Sequence, residues 1–323
     1  MRCEMIMARL SLEDVRKNRM KNFFIKEQKK IEISPKKNNR SPVLNIKGVG
    51  GIGDVFWIEP VLRHLTGQEK EVHFYTPYPE LLQNFPSPYL TVNEPINVDQ
   101  GMRQLLALVD RPMITLGYLY DMPKMHVLDI FKYKSNVPEM GLSYPRLYLS
   151  EEEKHPRFKH DYVILHLEQQ CAHLQHRRVY GIDWKEVVRD LEKQGYKVYQ
   201  VGQSTDEPFA EYLHCADIRE LIHLIAHSKF FIGIDSAPSH FAASLDIPSL
   251  LFFGSVNPRL RHLDSFKGIF MQEACPFAHC YHEVVGLPHG QTCRLLDKYP
   301  TPPCCTHTTE EVLQRFELLK CLL

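Results

Sequence analysis

With 323 residues, 44% hydrophobic and 24% charged, the chain is long enough for one large or two medium domains. It is too mixed for a collagen-like, coiled-coil or wholly disordered class. Lys plus Arg and Asp plus Glu both number 39, which removes the global cationic field that would draw nucleic acid or an anionic membrane.

The balance conceals an asymmetry. The first 40 residues hold 12 basic and 5 acidic side chains and the remainder holds 27 and 34, so a positive leader precedes a negative body. Residues 1–42 read as a Lys-rich extension and linker, because the prolines and polar residues of ISPKKNNRSP (33–42) break any regular period. The leader is read as solvated surface or as an interaction element. No apolar run reaches the ~18 residues needed to cross a bilayer, and no signal-type stretch opens the chain, so the expected location is the cytoplasm.

A first domain is expected over residues 43–155. Val43–Ile46 reads as a strand, the glycines at 48, 50, 51 and 53 as a tight turn, and Ile58, Val61, Leu62 and Leu65 as a helix face that starts or kinks near Pro60. Val72–Tyr75 is the next strand, with apolar segments at Leu105–Val109 and Met113–Leu116, and repeated prolines mark loops between them. The charged bridge EEEKHP (151–156) closes this domain.

A second domain is expected over residues 156–308, followed by a terminal helix in 309–323. Its rhythm is βαβ: strand Tyr162–Leu167, a helix from Asp183 with Glu186 completing a capping box and Gly195 as exit, then strand Tyr196–Val201. Helix Ile218–His227, strand Phe230–Ile234, helix Ser239–Leu245 and strand Ser249–Phe253 follow, the pattern of a parallel sheet covered by helices.

Three stretches carry chemistry. Gly50, Gly51 and Gly53 let backbone approach a ligand after the first strand, and Asp54 follows at once. Gly48, Gly50 and Gly53 match a bare dinucleotide fingerprint, but a carboxylate beside the last glycine would face the pyrophosphate such a turn should hold. Asp54 suits a base that deprotonates an acceptor hydroxyl, or alternatively a helix cap. The second stretch is a strand end running into a helix start: Asp235, Ser236, Ala237, Ser239 and His240. Helix amides, the two serine hydroxyls and the imidazole can surround a diphosphate, and Asp235 suits sugar hydroxyls. The third is Arg177–Arg178, two guanidiniums able to neutralise a diphosphate leaving group.

The stretches Gly51–Asp54 through Pro60–Arg63, Arg177 through Trp184, and Asp217 through Gly254, with GIDSAPSHFAASLDIPSLLFFG at their centre, resemble the ADP-heptose:lipopolysaccharide heptosyltransferases, glycosyltransferase family 9. The resemblance implies a GT-B fold, two Rossmann-like domains facing a central cleft. The first domain would bind the acceptor and the second a nucleotide sugar, expected to be ADP-heptose. It implies an inverting transfer of heptose to a protein or glycan acceptor, with Asp54 as base, Arg177 or Arg178 at the donor diphosphate, Asp235 at the donor sugar, and Ser236 and His240 in the diphosphate loop. No catalytic metal is expected. Ala237 and Asp246 stand where the family has glycines.

Six of the nine cysteines fall in the last 49 residues. The spacing of Cys275, Cys280, Cys293 and Cys304 reads as a metal knuckle over 275–305 holding one structural iron or zinc ion, with His279, His282, His289 and His307 as competing ligands. Reduced thiols or disulfides are the alternatives. The resemblance extends to the autotransporter heptosyltransferases, a subgroup with a late four-cysteine iron-binding insertion that assembles into rings, which implies a homo-oligomer. A non-catalytic nucleotide-sugar-binding or assembly protein of the same fold is the competing function.

Overall fold

Two all-parallel sheets organise the chain. The computed structural model describes residues 43–93, 113–117, 124–167, 177–202, 208–282 and 293–322, all within one compact unit. The N-terminal extension and the Leu105–Val109 segment lie outside the described residues.

The first sheet has the order β3-β2-β1-β4, built from β1 (Leu44–Gly48), β2 (Val72–Tyr75), β3 (Leu90–Asn93) and β4 (Met113–Leu116). Ile46 at its centre pairs with Phe74 on one side and Ile114 on the other. After β1 come a five-residue helix α1 (Ile52–Phe56) and then α2 (Glu59–Gly67), with Pro60 in the first turn of α2, where its missing N–H costs no helical bond. Both options at Pro60 are therefore realised: a short turn precedes it and a new helix begins beside it. Helix α3 (Val127–Lys134) was not expected. It is capped by His126, whose Nδ1 accepts from Leu128 N at 3.1 Å, and it buries Val127, Leu128, Ile130 and Phe131.

The second sheet has the order β10-β9-β8-β5-β6-β7, from β5 (Tyr162–His166), β6 (Lys197–Gly202), β7 (Glu211–His214), β8 (Phe230–Ile234), β9 (Ser249–Phe252) and β10 (Gly268–Met271). Strands β5, β8 and β9 are buried throughout, as strands covered on both faces must be. Helix α4 (Trp184–Lys193) turns Trp184, Val187, Val188 and Leu191 inward, and the last helix α7 (Thr309–Lys320) adds Val312, Phe316 and Leu319 to the same core, with Phe316 edge-on to Phe230 at 4.9 Å. Asp183 caps α4 through Glu186 N as expected, but its own N–H goes to Thr309 Oγ1 at 2.9 Å, so the cap also ties α4 to α7.

Helices α5 (Ile218–Ala226) and α6 (Ala237–Ser244) complete the layer. Helix α6 ends in a left-handed residue, Asp246 at φ +59°, with Ile247 N bonded back to Ala242 O. This is the position where the family resemblance places a glycine, and the backbone conformation is the one glycine adopts without strain. The Asp246 carboxylate has only an exposed ion pair with Lys267 at 3.4 Å to set against that strain. Asp246→Gly is therefore expected to raise stability by about 0.5–1 kcal/mol, read from the urea midpoint at unchanged slope.

Candidate active site

In an open parallel sheet, the strand order reverses at one place, and a crevice opens beyond the carboxyl ends there. In the first sheet that place lies between β1 and β4, and in the second between β5 and β8. Both stretches singled out from sequence sit at these ends: Gly50–Asp54 directly after β1, and Asp235–His240 directly after β8.

The two meet. A Cβ on Gly53 would stand 3.1 Å from His240 Cδ2 and 3.6 Å from Ala237 Cα, so only glycine lets these segments approach without displacement. Gly50, at φ +116°, makes the turn, and a side chain there would strike the Asp54 carboxylate at 2.7 Å. Asp54 Oδ2 accepts from Gly51 N at 3.0 Å, so the capping role considered from sequence is filled by this carboxylate.

Asp54 is partly accessible yet ringed by protein, as at the floor of a crevice, and this desolvation raises its pKa above the ordinary 3.8. Arg261, the Gly51 amide and Arg177 pull it back down, in that order, and Asp235 pushes it up. The charges of both sheets thus act on one carboxylate. Tyr78, beyond the end of β2, is raised by burial and then by the Asp54 charge, which places its phenol on the same crevice.

Arg177 is half-buried, with Nη2 3.8 Å from Asp235 Oδ2, whereas Arg178 is exposed beside Tyr180. Asp235 is buried, and Oδ2 has no hydrogen bond among the described residues. Ser236 caps α6 and sets its Oγ 3.2 Å from His166 Nδ1, joining the ends of β8 and β5. Ser239 is fully buried and donates to Ser236 O at 2.7 Å, so its hydroxyl serves the cap. Ala237 opens α6 without needing a left-handed backbone.

Several site residues carry no motif in the sequence. Arg261 and His262, at the end of a single 3₁₀ turn (Pro258–Leu260), are buried. His262 stacks on His240 with ring centroids 4.9 Å apart. Trp57 Nε1 donates to His240 Nδ1 at 3.3 Å, and Trp57 packs edge-on to His126 at 5.1 Å. Burial lowers the pKa of His126, His166 and His240 from 6.5 to about 4 each, and that of His262 well below 6.5, so the imidazoles are uncharged at neutral pH. Of these, only Trp57, three residues after Asp54 across the start of a helix, could have been placed near that carboxylate by spacing.

Residues 125–263 match the family described as glycosyltransferase family 9 (heptosyltransferase). The matched region holds α6, Arg177, Asp235, His240 and Arg261. A 125-residue stretch is 30% identical to the autotransporter heptosyltransferase Aah of Escherichia coli; it takes in 35% of this chain and only 31% of that relative's length. Among solved structures, the dodecameric iron-containing heptosyltransferase TibC of enterotoxigenic E. coli, in complex with ADP-D-beta-D-heptose, superposes with a TM-score of 0.67 at 20% identity over 87% of this chain and 77% of that one. The E. coli ADP-heptose lipopolysaccharide heptosyltransferase II gives a TM-score of 0.54 at 16% identity over 86% and 98%. At these identities the likeness concerns architecture, and it is that of the GT-B fold.

The expected metal knuckle is corrected by the structure. Tetrahedral thiolates about 2.3 Å from an ion stand roughly 3.8 Å apart, but no three cysteine sulfurs among the described residues lie within 4.8 Å of one another. Spacing in sequence counts sulfurs without giving their direction, and Cys275, Cys280, Cys293 and Cys304 do not form the ligand set. The ligand atoms that do converge within 4.8 Å belong to Glu273, His307 and Glu311, beyond β10 and at the start of α7. Of the competing ligands named from sequence, His307 is the one in this set. Its Nδ1 lies 3.3 Å from Glu273 Oε1. Among the described residues, no helix is long and apolar enough to cross a membrane.

Proposed function

We propose that this chain is an inverting glycosyltransferase that moves a heptose from ADP-heptose, or a closely related nucleotide sugar, to a hydroxyl of a protein or glycan. The observation that carries the reading is the approach of Asp54, after β1, to the turn 235–240, after β8, at the ends of two separate parallel sheets. The family match supports the reaction class, and the ADP-heptose bound to TibC supports the donor.

In this reading residues 43–155 receive the acceptor and residues 156–308 the donor. The acceptor oxygen attacks the anomeric carbon from the Asp54 side, and its proton passes to the Asp54 carboxylate. The bond between that carbon and the diphosphate oxygen breaks, and the electron pair leaves with ADP. Arg177 and Arg261 offset the charge that grows on the diphosphate, the Ser236 hydroxyl and the first-turn amides of α6 bind its oxygens, and Asp235 accepts from sugar hydroxyls. Arg178 is assigned the outer edge of the same anion site. The autotransporter relative supports a protein acceptor, and the dodecameric TibC supports self-assembly. Cytoplasmic residence follows in the same reading, with the seven described cysteines present as free thiols.

The test is incubation of the purified chain with ADP-heptose and candidate acceptors. ADP release and a heptose-sized mass gain on an acceptor are expected. Donor binding by calorimetry without either product would favour the non-catalytic binding protein.

A further inference from the structure

A histidine beside a reaction centre can present N–H or a lone pair from the same edge, depending on which ring nitrogen carries the proton. In this chain a neighbour makes the choice. The Trp57 indole nitrogen is a donor only, and it bonds His240 Nδ1 at 3.3 Å in a buried contact. Nδ1 is therefore the acceptor, and the ring's proton sits on Nε2.

Packing holds the pair in register. Trp57 is 1% exposed, edge-on to His126 and tilted against Tyr144 at 5.5 Å, so the indole has no room to rotate away. His240 is 5% exposed and lies between this indole and the His262 ring. The opposite edge of the imidazole, Cδ2 and Nε2, is the one that faces Gly53 and hence the turn bearing Asp54. Among the described residues, the indole N–H supplies the ring's hydrogen bond and none reaches Nε2.

We propose that Trp57 is a positioning residue: by bonding His240 Nδ1 it holds the imidazole as the Nε2–H tautomer, so that this N–H is a fixed donor beside the Gly53–Asp54 turn for an oxygen of the bound nucleotide sugar. The role in transfer rests on the glycosyltransferase reading, whereas the tautomer does not. Because burial keeps the ring uncharged near neutral pH, the N–H orients and stabilises without releasing its proton. Trp57 follows the first sheet and His240 the second, so the donor's direction on the nucleotide-sugar side is set by a residue from the acceptor side.

The experiment uses protein labelled with 15N-histidine and long-range proton–nitrogen correlation spectra, with the His240 signals assigned by their loss in His240→Gln. Wild type is expected to show Nδ1 bare and Nε2 protonated, and Trp57→Phe a mixture of both tautomers. With ADP-heptose and an acceptor, Trp57→Phe is expected to lower kcat roughly three- to tenfold, with KM within about twofold. A wild type protonated at Nδ1, a Trp57→Phe spectrum that keeps one tautomer, or a mixed tautomer with unchanged kcat would each overturn the proposal. If Trp57→Phe does not fold, the wild-type spectrum still decides. A wild type that transfers no heptose counts against the glycosyltransferase reading and leaves the tautomer result standing.

Discussion

Asp54→Asn is expected to slow heptose transfer ~10²- to 10⁴-fold, the range lost with a general base, while ADP-heptose binding by calorimetry stays within about threefold of wild type. The substitution isolates the chemistry, because an asparagine carbonyl can still accept from Gly51 N, keeping the cap on α1 and the fold around it. The pH profile gives a second reading. A base must be ionised to act, and desolvation holds Asp54 above its ordinary 3.8, so the acid limb of kcat should lie above that value. Arg261 is the largest charge pulling it down, and Arg261→Met should move the limb further up. An acid limb insensitive to Arg261, or an Asp54→Asn enzyme within a few-fold of wild type, would remove Asp54 from the reaction.

Acidification should unfold the chain well before ordinary carboxylates titrate. His126, His166 and His240 are held near pKa 4, against 6.5 for an exposed imidazole. Between those values the unfolded chain binds protons that the folded one refuses. The stabilisation is complete above about pH 6.5 and is lost as pH falls toward about 4. Each group contributes a slope of about 1.4 kcal/mol per pH unit and the three together roughly 4, to which His262, held well below 6.5, adds a like share, against a total stability of ~5–15 kcal/mol for an ordinary domain. Asp54 works the other way, since protonation relieves its desolvation, and it offsets part of the slope at the acid end. Urea midpoints taken between about pH 7 and about pH 5 should fall steeply, and because His262 is held down as well, His240→Gln should reduce the slope by about a quarter. A flat profile would mean that these rings take up protons in the folded state.

How far the sequence could be read follows from where each element gets its stability. Strand β5, helix α4 and strand β6 were legible because an unbroken apolar run, a capping Asp183 and the left-handed Gly195 all point the same way. Strands β3 and β7 were not. Each lies at a sheet edge with one neighbour, and Leu-Thr-Val-Asn or Glu-Tyr-Leu-His has neither a run nor a clear alternation. Strand β10 is also an edge, and its pairing with β9 rather than its composition fixes it. Helix α3 escaped because histidine is an uncommon cap.

At the site, Asp54 and Asp235–His240 were visible because each lies in a local strand–turn–helix whose residue types are chosen by the turn itself. Trp57, His126 and the adjacent pair Arg261–His262 come from three segments far apart in the chain, and nothing in one segment announces the others. The cysteines show the reverse difficulty: they are crowded into one stretch of sequence, but convergence depends on the course of the loops, and the ligand atoms that converge are those of Glu273, His307 and Glu311 instead.

The strand pairings also bear on how quickly this molecule can form. Among the described residues neither sheet contains a hairpin: Asn45 finds its ladder partner in Met113, and Val163 waits for Phe230. Every central ladder must therefore close a long stretch of chain before it gains anything, which favours slow assembly from non-local contacts. During synthesis, β1 and β5 emerge with their edges bare until β4 and β8 follow, and shielding of those edges, more than final stability, would govern the yield of active protein in a cell.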